Sequence, residues 1–396
     1  MNAQENTDLT NSLPMRESRS GSNPELELAF NYAQYTRRNI FLTGKAGTGK
    51  TTYLSKEITK ILDVEDARIL VLTPTNKACD VLTLKLLDQS EDNYTRVGRF
   101  VATAESEIEE SGVLKNRDSE FYKKQPCCLV STIARLPYDG FSSLDGKGSL
   151  RNIDWDYVII DEASMIPIAH ITYAIYKFQS SKIIIAGDPL QIAPIAQESE
   201  WKDENIYTMT NLLTFDKPQT EPVQFDITYL DTQYRSVPEI GNLFSNYAYA
   251  GLLKNYRSSE SGKELDIDGF NFGAINFMPF RVDRYDSLYG AKKLNNSNIH
   301  IYSALLVIEF TKYVSEKFHS KHSDATLSIG IICPYAPQAH LINNLLLQQK
   351  DIPETVKITV GTIHGFQGDE CDVIISVFNP PTGLKGAANS VLINNR

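Results

Sequence analysis

The residues Gly44-Lys45-Ala46-Gly47-Thr48-Gly49-Lys50-Thr51 have the types and spacing of a phosphate-binding loop, G-x-x-x-x-G-K-[ST], matched at every fixed position. Each type has a reason. Gly44, Gly47 and Gly49 let the backbone turn tightly and bring its N–H groups close to phosphate oxygens. The start of a following helix adds partial positive charge at the same place. Lys50 can reach β- and γ-phosphates, and the Thr51 hydroxyl can ligate Mg²⁺. Phosphate contacts are therefore expected from Gly44, Ala46, Gly47, Thr48, Gly49, Lys50, Thr51 and Thr52. The flanks agree. Ile40 to Leu42 read as the end of a buried strand, and Thr52 to Ile58 read as a helix.

A second carboxylate-bearing segment lies downstream. The apolar run Val158-Ile159-Ile160 leads into Asp161-Glu162. Two adjacent carboxylates at a strand end are often plain surface residues. Behind a phosphate loop they read as the other half of an ATPase site, with Asp161 holding Mg²⁺ directly or through water and Glu162 polarising the attacking water. Another apolar strand, Lys182 to Ala186, runs into Gly187-Asp188-Pro189-Leu190-Gln191. Gln191 at that strand end could sense the γ-phosphate through its amide. The strand Arg68 to Leu72 ends in Thr73-Pro74-Thr75-Asn76-Lys77. Ligands of α/β sheets bind at the carboxyl ends of strands, which places Thr73, Thr75 and Lys77 to face a ligand. The competing reading is loop capping.

These strands must be held by a larger frame. A chain of 396 residues accommodates two ordinary domains. Its apolar fraction of 42% and charged fraction of 22% are those of a soluble globular protein. The net charge of −10 argues against coating nucleic acid by bulk charge, but leaves room for a local basic groove. No apolar run reaches bilayer-spanning length and no signal-peptide core is present, so a cytoplasmic location with no membrane partner is expected. The five cysteines, Cys79, Cys127, Cys128, Cys333 and Cys371, are scattered without a C-x-x-C pair, which suits reduced, mostly buried thiols.

Residues 1–23 read as a disordered tail. Residues 24–222 read as a first domain, a doubly wound parallel sheet with an insertion at about 88–126 carrying a small subdomain or helices. Residues 223–396 read as a second α/β domain with an irregular insertion at about 254–300. Its expected elements are a helix over 303–318, a strand over 327–334, a helix over 339–347, and strands over 356–360 and 373–378. It holds no second phosphate loop.

Six segments, in order, resemble the superfamily-one helicases, in particular the group containing the nonsense-mediated-decay helicase. They are GKAGTGKTT, LTPTNKA, IIDEAS, AGDPLQIAPI, LDTQYRS and GTIHGFQGDECDVI, and the resemblance spans roughly residues 38 to 380. It implies two RecA-like domains with parallel sheets flanked by helices, ATP between them, and single-stranded DNA or RNA across their tops, DNA being favoured. Tyr234 would stack on the adenine and Arg235 would reach across the cleft to the γ-phosphate. Gln191 would couple phosphate state to domain movement. Gly368 and Glu370 would line the nucleotide side of the second domain. Thr75, Lys77, Thr132, Thr362 and His364 would meet the strand, mostly at phosphate and sugar, contacts that position rather than read sequence.

Two departures stand out. The family's adenine-reading glutamine lies about twenty residues before its phosphate loop, whereas Gln34 lies ten before Gly44, which leaves adenine selectivity open. The chain also stops at Leu392 to Arg396, before the family's last, arginine-bearing motif. The resemblance then implies a C-terminally incomplete second domain, either a truncated product or half of a split protein whose second chain supplies that motif. The expected activity is an ATP-dependent helicase or translocase core. The alternative is an ATP- and nucleic-acid-binding subunit with little hydrolysis of its own.

Overall fold

The structure is a computed structural model that describes residues 39–142, 149–191, 194, 204–210, 212, 226–258, 265–267, 270–278, 291–294, 297–363, 365–366 and 369–377. The expected tail at 1–23, Gln34, His364, Gly368 and the last residues of the chain lie outside the described set. The chain divides into two compact units, Met1–Ser261 and Gly262–Arg396.

Unit 1 is built on an eight-stranded, all-parallel sheet. Its strands are β1 (Asn39–Gly44), β2 (Arg68–Thr73), β3 (Val97–Phe100), β4 (Leu114–Lys115), β5 (Cys127–Thr132), β6 (Tyr157–Ile160), β7 (Lys182–Gly187) and β8 (Asp226–Leu230). They lie in the order β4-β3-β5-β2-β6-β7-β1-β8. Alternation along each strand feeds two cores, as a sheet buried on both faces requires. Ile69, Val71, Cys128, Val130, Ile159 and Ala186 face one side, against Leu54, Ile58 and Leu62 of α1 (Lys50–Val64) and Cys79, Leu82 and Leu86 of α2 (Asn76–Leu87). Leu70, Leu72, Cys127, Leu129, Val158, Ile160, Ile183 and Ile185 face the other, against Ile168, Ile171 and Ile175 of α3 (Ile168–Lys177) and Ile133, Leu136, Phe141, Leu150 and Trp155. This is the expected α/β, RecA-like arrangement.

Two expected boundaries move. Residues 88–126 carry two short helices, Asn93–Arg96 and Ser106–Glu110, in place of a separate subdomain, and their β3 and β4 extend the main sheet beyond β5. The central residue of β3 is Arg99, 1% exposed, which hides the strand from a hydrophobic reading. Its guanidinium is neutralised by Asp80 of α2 at 2.7 Å and also donates to Phe100 O at 2.9 Å and Asn76 Oδ1 at 3.1 Å. Removing one member of such a pair leaves an uncompensated buried charge. Asp80→Ala is therefore expected to destabilise the chain by about 3–5 kcal/mol, read as a lower midpoint in urea unfolding.

The second shift concerns the domain boundary expected at 222/223. Asp226 to Leu230 pairs in parallel with β1, Ile40 opposite Asp226 through Gly44 opposite Leu230. Unit 1 then continues through β9 (Thr232–Gln233), α4 (Pro238–Ala248) and β10 (Lys254–Asn255), which pairs with β9. β8 is short and opens on Asp226, so only its ladder to β1 reveals where it belongs.

Unit 2 holds two short antiparallel pairs, β11 (Leu265–Ile267) with β12 (Phe270–Phe272) and β13 (Lys292–Leu294) with β14 (Ser297–Ile299). These fall in the stretch 254–300 that reads as irregular. The long helix α5 (Ile301–Lys321) follows, then β15 (Leu327–Cys333), α6 (Ala336–Leu346), β16 (Val356–Thr362) and β17 (Val373–Ser376). The three strands form a parallel sheet with β15 in the middle. Ile329, Ile331 and Cys333 pack with Ala304, Ile308 and Val314 of α5 and Ile342 of α6.

All five cysteines are free thiols, and all but Cys371 are buried. Cys127 and Cys128 are adjacent on β5 and serve opposite cores. Burial pushes the thiols of Cys79 and Cys127 up to about 11 and about 12, which keeps them protonated and inert. Among the described residues no helix is long and apolar enough to cross a membrane.

Candidate nucleotide site

The loop between β1 and α1 has the backbone that its glycines permit. Gly47 and Gly49 take φ of +73° and +76°, a left-handed conformation that costs other residues free energy. Gly49 is the N-cap of α1 and makes no side-chain cap, and no acidic residue occupies the first turn. The first N–H groups of the helix are thus left for an anion. The loop is braced from inside, because Thr48 donates from both N and Oγ1 to Lys45 O, at 3.3 and 2.8 Å. Gly44 is required for a different reason. A Cβ there would lie 2.5 Å from Cγ of Lys50, whose stem folds back across the glycine and is 8% exposed. Thr51 and Thr52 are half-buried on the first turn.

Gly47 is also closed from outside. Tyr234 N donates to Gly47 O at 2.9 Å, and a Cβ at Gly47 would meet Arg235 Cβ at 3.0 Å. Gly47→Ala is therefore expected to cost about 1–2 kcal/mol from the left-handed backbone alone, plus displacement of Arg235. Nucleotide titration should show the weaker binding.

The sheet order places β7 between β6 and β1. Asp188, at the end of β7, consequently stands between the phosphate loop and the Asp161-Glu162 pair that follows β6. Asp161 is 2% exposed, and its Oδ1 accepts from Glu162 N at 2.9 Å. Burial, then the adjacent Glu162 charge, push the Asp161 carboxyl up to about 7, with Lys50 opposing. Asp188 is also raised by burial, opposed by Lys50 and by donors from Tyr249 and Leu190. Glu162 itself is held at φ +51°, an uncommon conformation for a residue with a side chain and one that tends to persist at functional sites. Three buried polar atoms here, Glu162 Oε2, Gln191 Oε1 and Ser164 Oγ, find no hydrogen-bond partner among the described residues. Orphaned oxygens beside crowded carboxylates are the set that a cation or a donating water would satisfy.

Two tyrosines complete this cluster without any motif announcing them. Tyr207 is fully buried on a one-turn helix, Ile206–Met209, whose N-cap Asn205 forms a capping box with Thr208. Its hydroxyl would lie 2.7 Å from a Cβ on Gly187, and the charges of Glu162, Asp188 and Asp161 all act on it. Tyr249, one residue beyond α4, accepts from Ala46 N at 3.0 Å and donates to Asp188 Oδ2. Lys45 Nζ sits 5.9 Å from its ring centroid. Ala46 N–H is thus taken by a phenol and is not turned to a phosphate.

The other expected site residues are placed as follows. Tyr234 and Arg235 lie in unit 1, directly beside the phosphate loop, so Arg235 needs no crossing from another domain to approach it. Tyr234 is 50% exposed, and its ring lies 4.7 Å from that of Tyr256, tilted by 39°. Gln233 is fully buried and holds Ser236 and Asn255. Thr73 does not face a ligand. It is fully buried, its hydroxyl donating to Thr75 O and touching Cys79 Sγ. Thr75 caps α2 by accepting from Ala78 N at 3.1 Å, while it and Lys77 remain exposed. Thr132 at the end of β5 is 7% exposed. In unit 2, Thr362 ends β16 and its hydroxyl accepts from Gly365 N, and Glu370 is exposed.

Comparison with known proteins divides the chain between residues 197 and 213, inside unit 1 and not at its end. Two AAA-domain family models match, one over residues 29–197 and the other over residues 213–378. The chain is 28% identical over 274 residues to the probable helicase senataxin of Mus musculus, covering 66% of this chain and 9% of that protein. It is 25% identical over 364 residues to the DNA replication ATP-dependent helicase/nuclease dna2 of Schizosaccharomyces pombe, covering 85% of this chain and 24% of that one. With the putative helicase mov-10-B.1 of Danio rerio it shares 26% identity over 364 residues, 84% of this chain and 34% of the relative. The chain therefore spans between a tenth and a third of the length of these relatives.

Proposed function

The chain belongs to the superfamily-one helicases, and from that premise we propose that it is an ATP-driven motor core that hydrolyses ATP in response to single-stranded nucleic acid. The observation that carries the reading is one cluster in unit 1. The phosphate loop, the raised Asp161, the strained Glu162 with an unpartnered oxygen, and Gln191 meet there across adjacent strand ends.

The roles follow from the chemistry. The first-turn N–H groups of α1 and the Lys50 ammonium bind the triphosphate. Thr51 and Asp161 are the ligands that fit Mg²⁺, since buried carboxylates this close together favour a divalent cation. Bound there, the ion would neutralise charge on the β- and γ-phosphates. Glu162 orients the attacking water and accepts its proton. Its free oxygen is buried and has no competing partner among the described residues. Gln191 lies next to Asp188 and reports the γ-phosphate through its amide. Tyr234, half-exposed and backed by Tyr256, offers a face for the adenine, and Arg235 beside Gly47 offers a positive charge at the phosphates. Glu370 and Gly368 belong to the nucleotide side of unit 2 by the same resemblance.

For the strand, exposed Thr75 and Lys77 are the contacts in unit 1, with Thr132 beneath them. Thr362 and His364 are the counterparts in unit 2. These contacts go to phosphate and sugar, so affinity should fall with salt and tolerate changes of sequence. The family resemblance favours DNA as the polymer and 5′ to 3′ as the direction of movement. A labelled duplex with a 5′ single-stranded tail, beside the 3′-tailed and all-RNA equivalents, tests this. The account expects ATP-dependent release from the 5′-tailed DNA. Failure of ATP to release any of the duplexes would remove the motor reading.

A further inference from the structure

The Tyr249 side chain ties the phosphate loop directly to the end of β7. Its hydroxyl oxygen accepts from Ala46 N at 3.0 Å and donates its proton to Asp188 Oδ2. The bridge is buried at its Asp188 end and half-buried at Ala46. Asp188 is 1% exposed and Tyr249 is 5% exposed. The other oxygen of Asp188 accepts from Leu190 N at 3.1 Å. The ring also carries the stem and charge of Lys45, itself 3% exposed, over its face. A hydroxyl that accepts a loop N–H while donating to a carboxylate is polarised at both ends, which strengthens both bonds.

Asp188 has a second neighbour of consequence, because Gly187 pairs with Thr43, the stem of Lys50 folds across the next residue, Gly44, and the Lys50 charge acts on the carboxylate. A lysine needed at the β- and γ-phosphates therefore stands near a buried carboxylate that attracts it. We propose that Tyr249 is a positioning residue for nucleotide binding: its hydroxyl fixes the Ala46 end of the phosphate loop and occupies Asp188, so that Lys50 is available to phosphate and not held by the carboxylate. This rests on the nucleotide site proposed above and adds to it a specific device from outside every motif, some two hundred positions away in the chain.

Loss of the hydroxyl has two consequences. Ala46 N–H loses its acceptor, and Asp188 keeps the Leu190 N–H and turns its charge on the neighbouring Lys45 and Lys50. Both weaken binding of the phosphates in the ground state and leave the water-activating group untouched. The effect should therefore appear in KM and Kd much more than in kcat.

The test is titration of the full chain with a fluorescent ATP analogue and Mg²⁺, without nucleic acid, beside steady-state kinetics and a thermal melt. Tyr249→Phe is expected to bind about tenfold more weakly or worse, the effect of losing a hydrogen bond to a charged group, with kcat at saturation within about twofold. Adding Asp188→Asn to Tyr249→Phe is expected to recover affinity, because the competing charge is gone. Asp188→Asn alone should bind at least as tightly as the parent chain. Wild-type affinity in a folded Tyr249→Phe chain would overturn the proposal, as would no recovery in the double variant. If Tyr249→Phe does not fold, Asp188→Asn alone still decides, since weaker binding by that variant contradicts a carboxylate that competes for Lys50. Lys50→Ala run alongside separates the two levels. Unchanged binding in Lys50→Ala sinks the nucleotide site itself, whereas lost binding there with normal binding in Tyr249→Phe sinks only the role of the phenol.

Discussion

Lys50→Ala is expected to remove ATP binding at working concentrations and, with it, all turnover. Lys50 is the first residue of α1, and its stem is buried across Gly44. Truncating one partner of a buried, hydrogen-bonded charge pair costs about 2–5 kcal/mol, and each tenfold in affinity is about 1.4 kcal/mol. The loss here has a further component. Asp161 and Asp188 are both raised by burial, and Lys50 is the positive charge that opposes the rise in each. Without it the triphosphate would have to approach these carboxylates uncompensated. Equilibrium titration with a labelled nucleotide checks the loss, and a thermal melt checks that the chain remains folded.

Glu162→Gln should separate binding from chemistry. The amide keeps the volume of the side chain but cannot accept the proton of the attacking water. Turnover is expected to fall by about 10²–10⁴, the range for losing a positioned general base. Nucleotide affinity should hold or improve, since the Glu162 charge beside Asp161 is repulsive. A single-turnover assay on prebound nucleotide measures the chemical step directly. The contrast between the two variants, one failing to bind and the other binding without turnover, is the signature of a hydrolytic site.

The elements that hold this site were legible where sequence and burial agree. The strand Arg68–Thr73 is apolar from Ile69 through Leu72 and buried on both faces, so it reads from the sequence to within one residue. The same is true of the run Lys182–Gly187 and of the turn from Gly44 into α1. Legibility failed where a polar residue is buried by a distant partner. Arg99 sits in a strand because Asp80 neutralises it, and no local pattern contains that fact. Asp226 to Leu230 looks like the start of a new unit until its ladder with β1 is seen.

The site divides in the same way. Lys50, Asp161, Glu162 and Gln191 are marked by short-range motifs. Asp188 lay in plain view inside Gly187-Asp188-Pro189-Leu190-Gln191, and its position at the end of a strand beside the phosphate loop was the available signal. Tyr207 and Tyr249 gave none. One lies in a polar connection that reads as featureless, and the other just past a helix whose exposed Leu243 and Tyr247 draw the eye elsewhere. Only the folded chain brings their hydroxyls to the carboxylates.

The most direct test of the central claim is steady-state ATP hydrolysis by this chain, with and without single-stranded DNA and RNA, beside Lys50→Ala and Glu162→Gln. The account predicts turnover stimulated by the strand and abolished by both substitutions. Nucleotide binding with no turnover above the two variants, with either polymer, would contradict it.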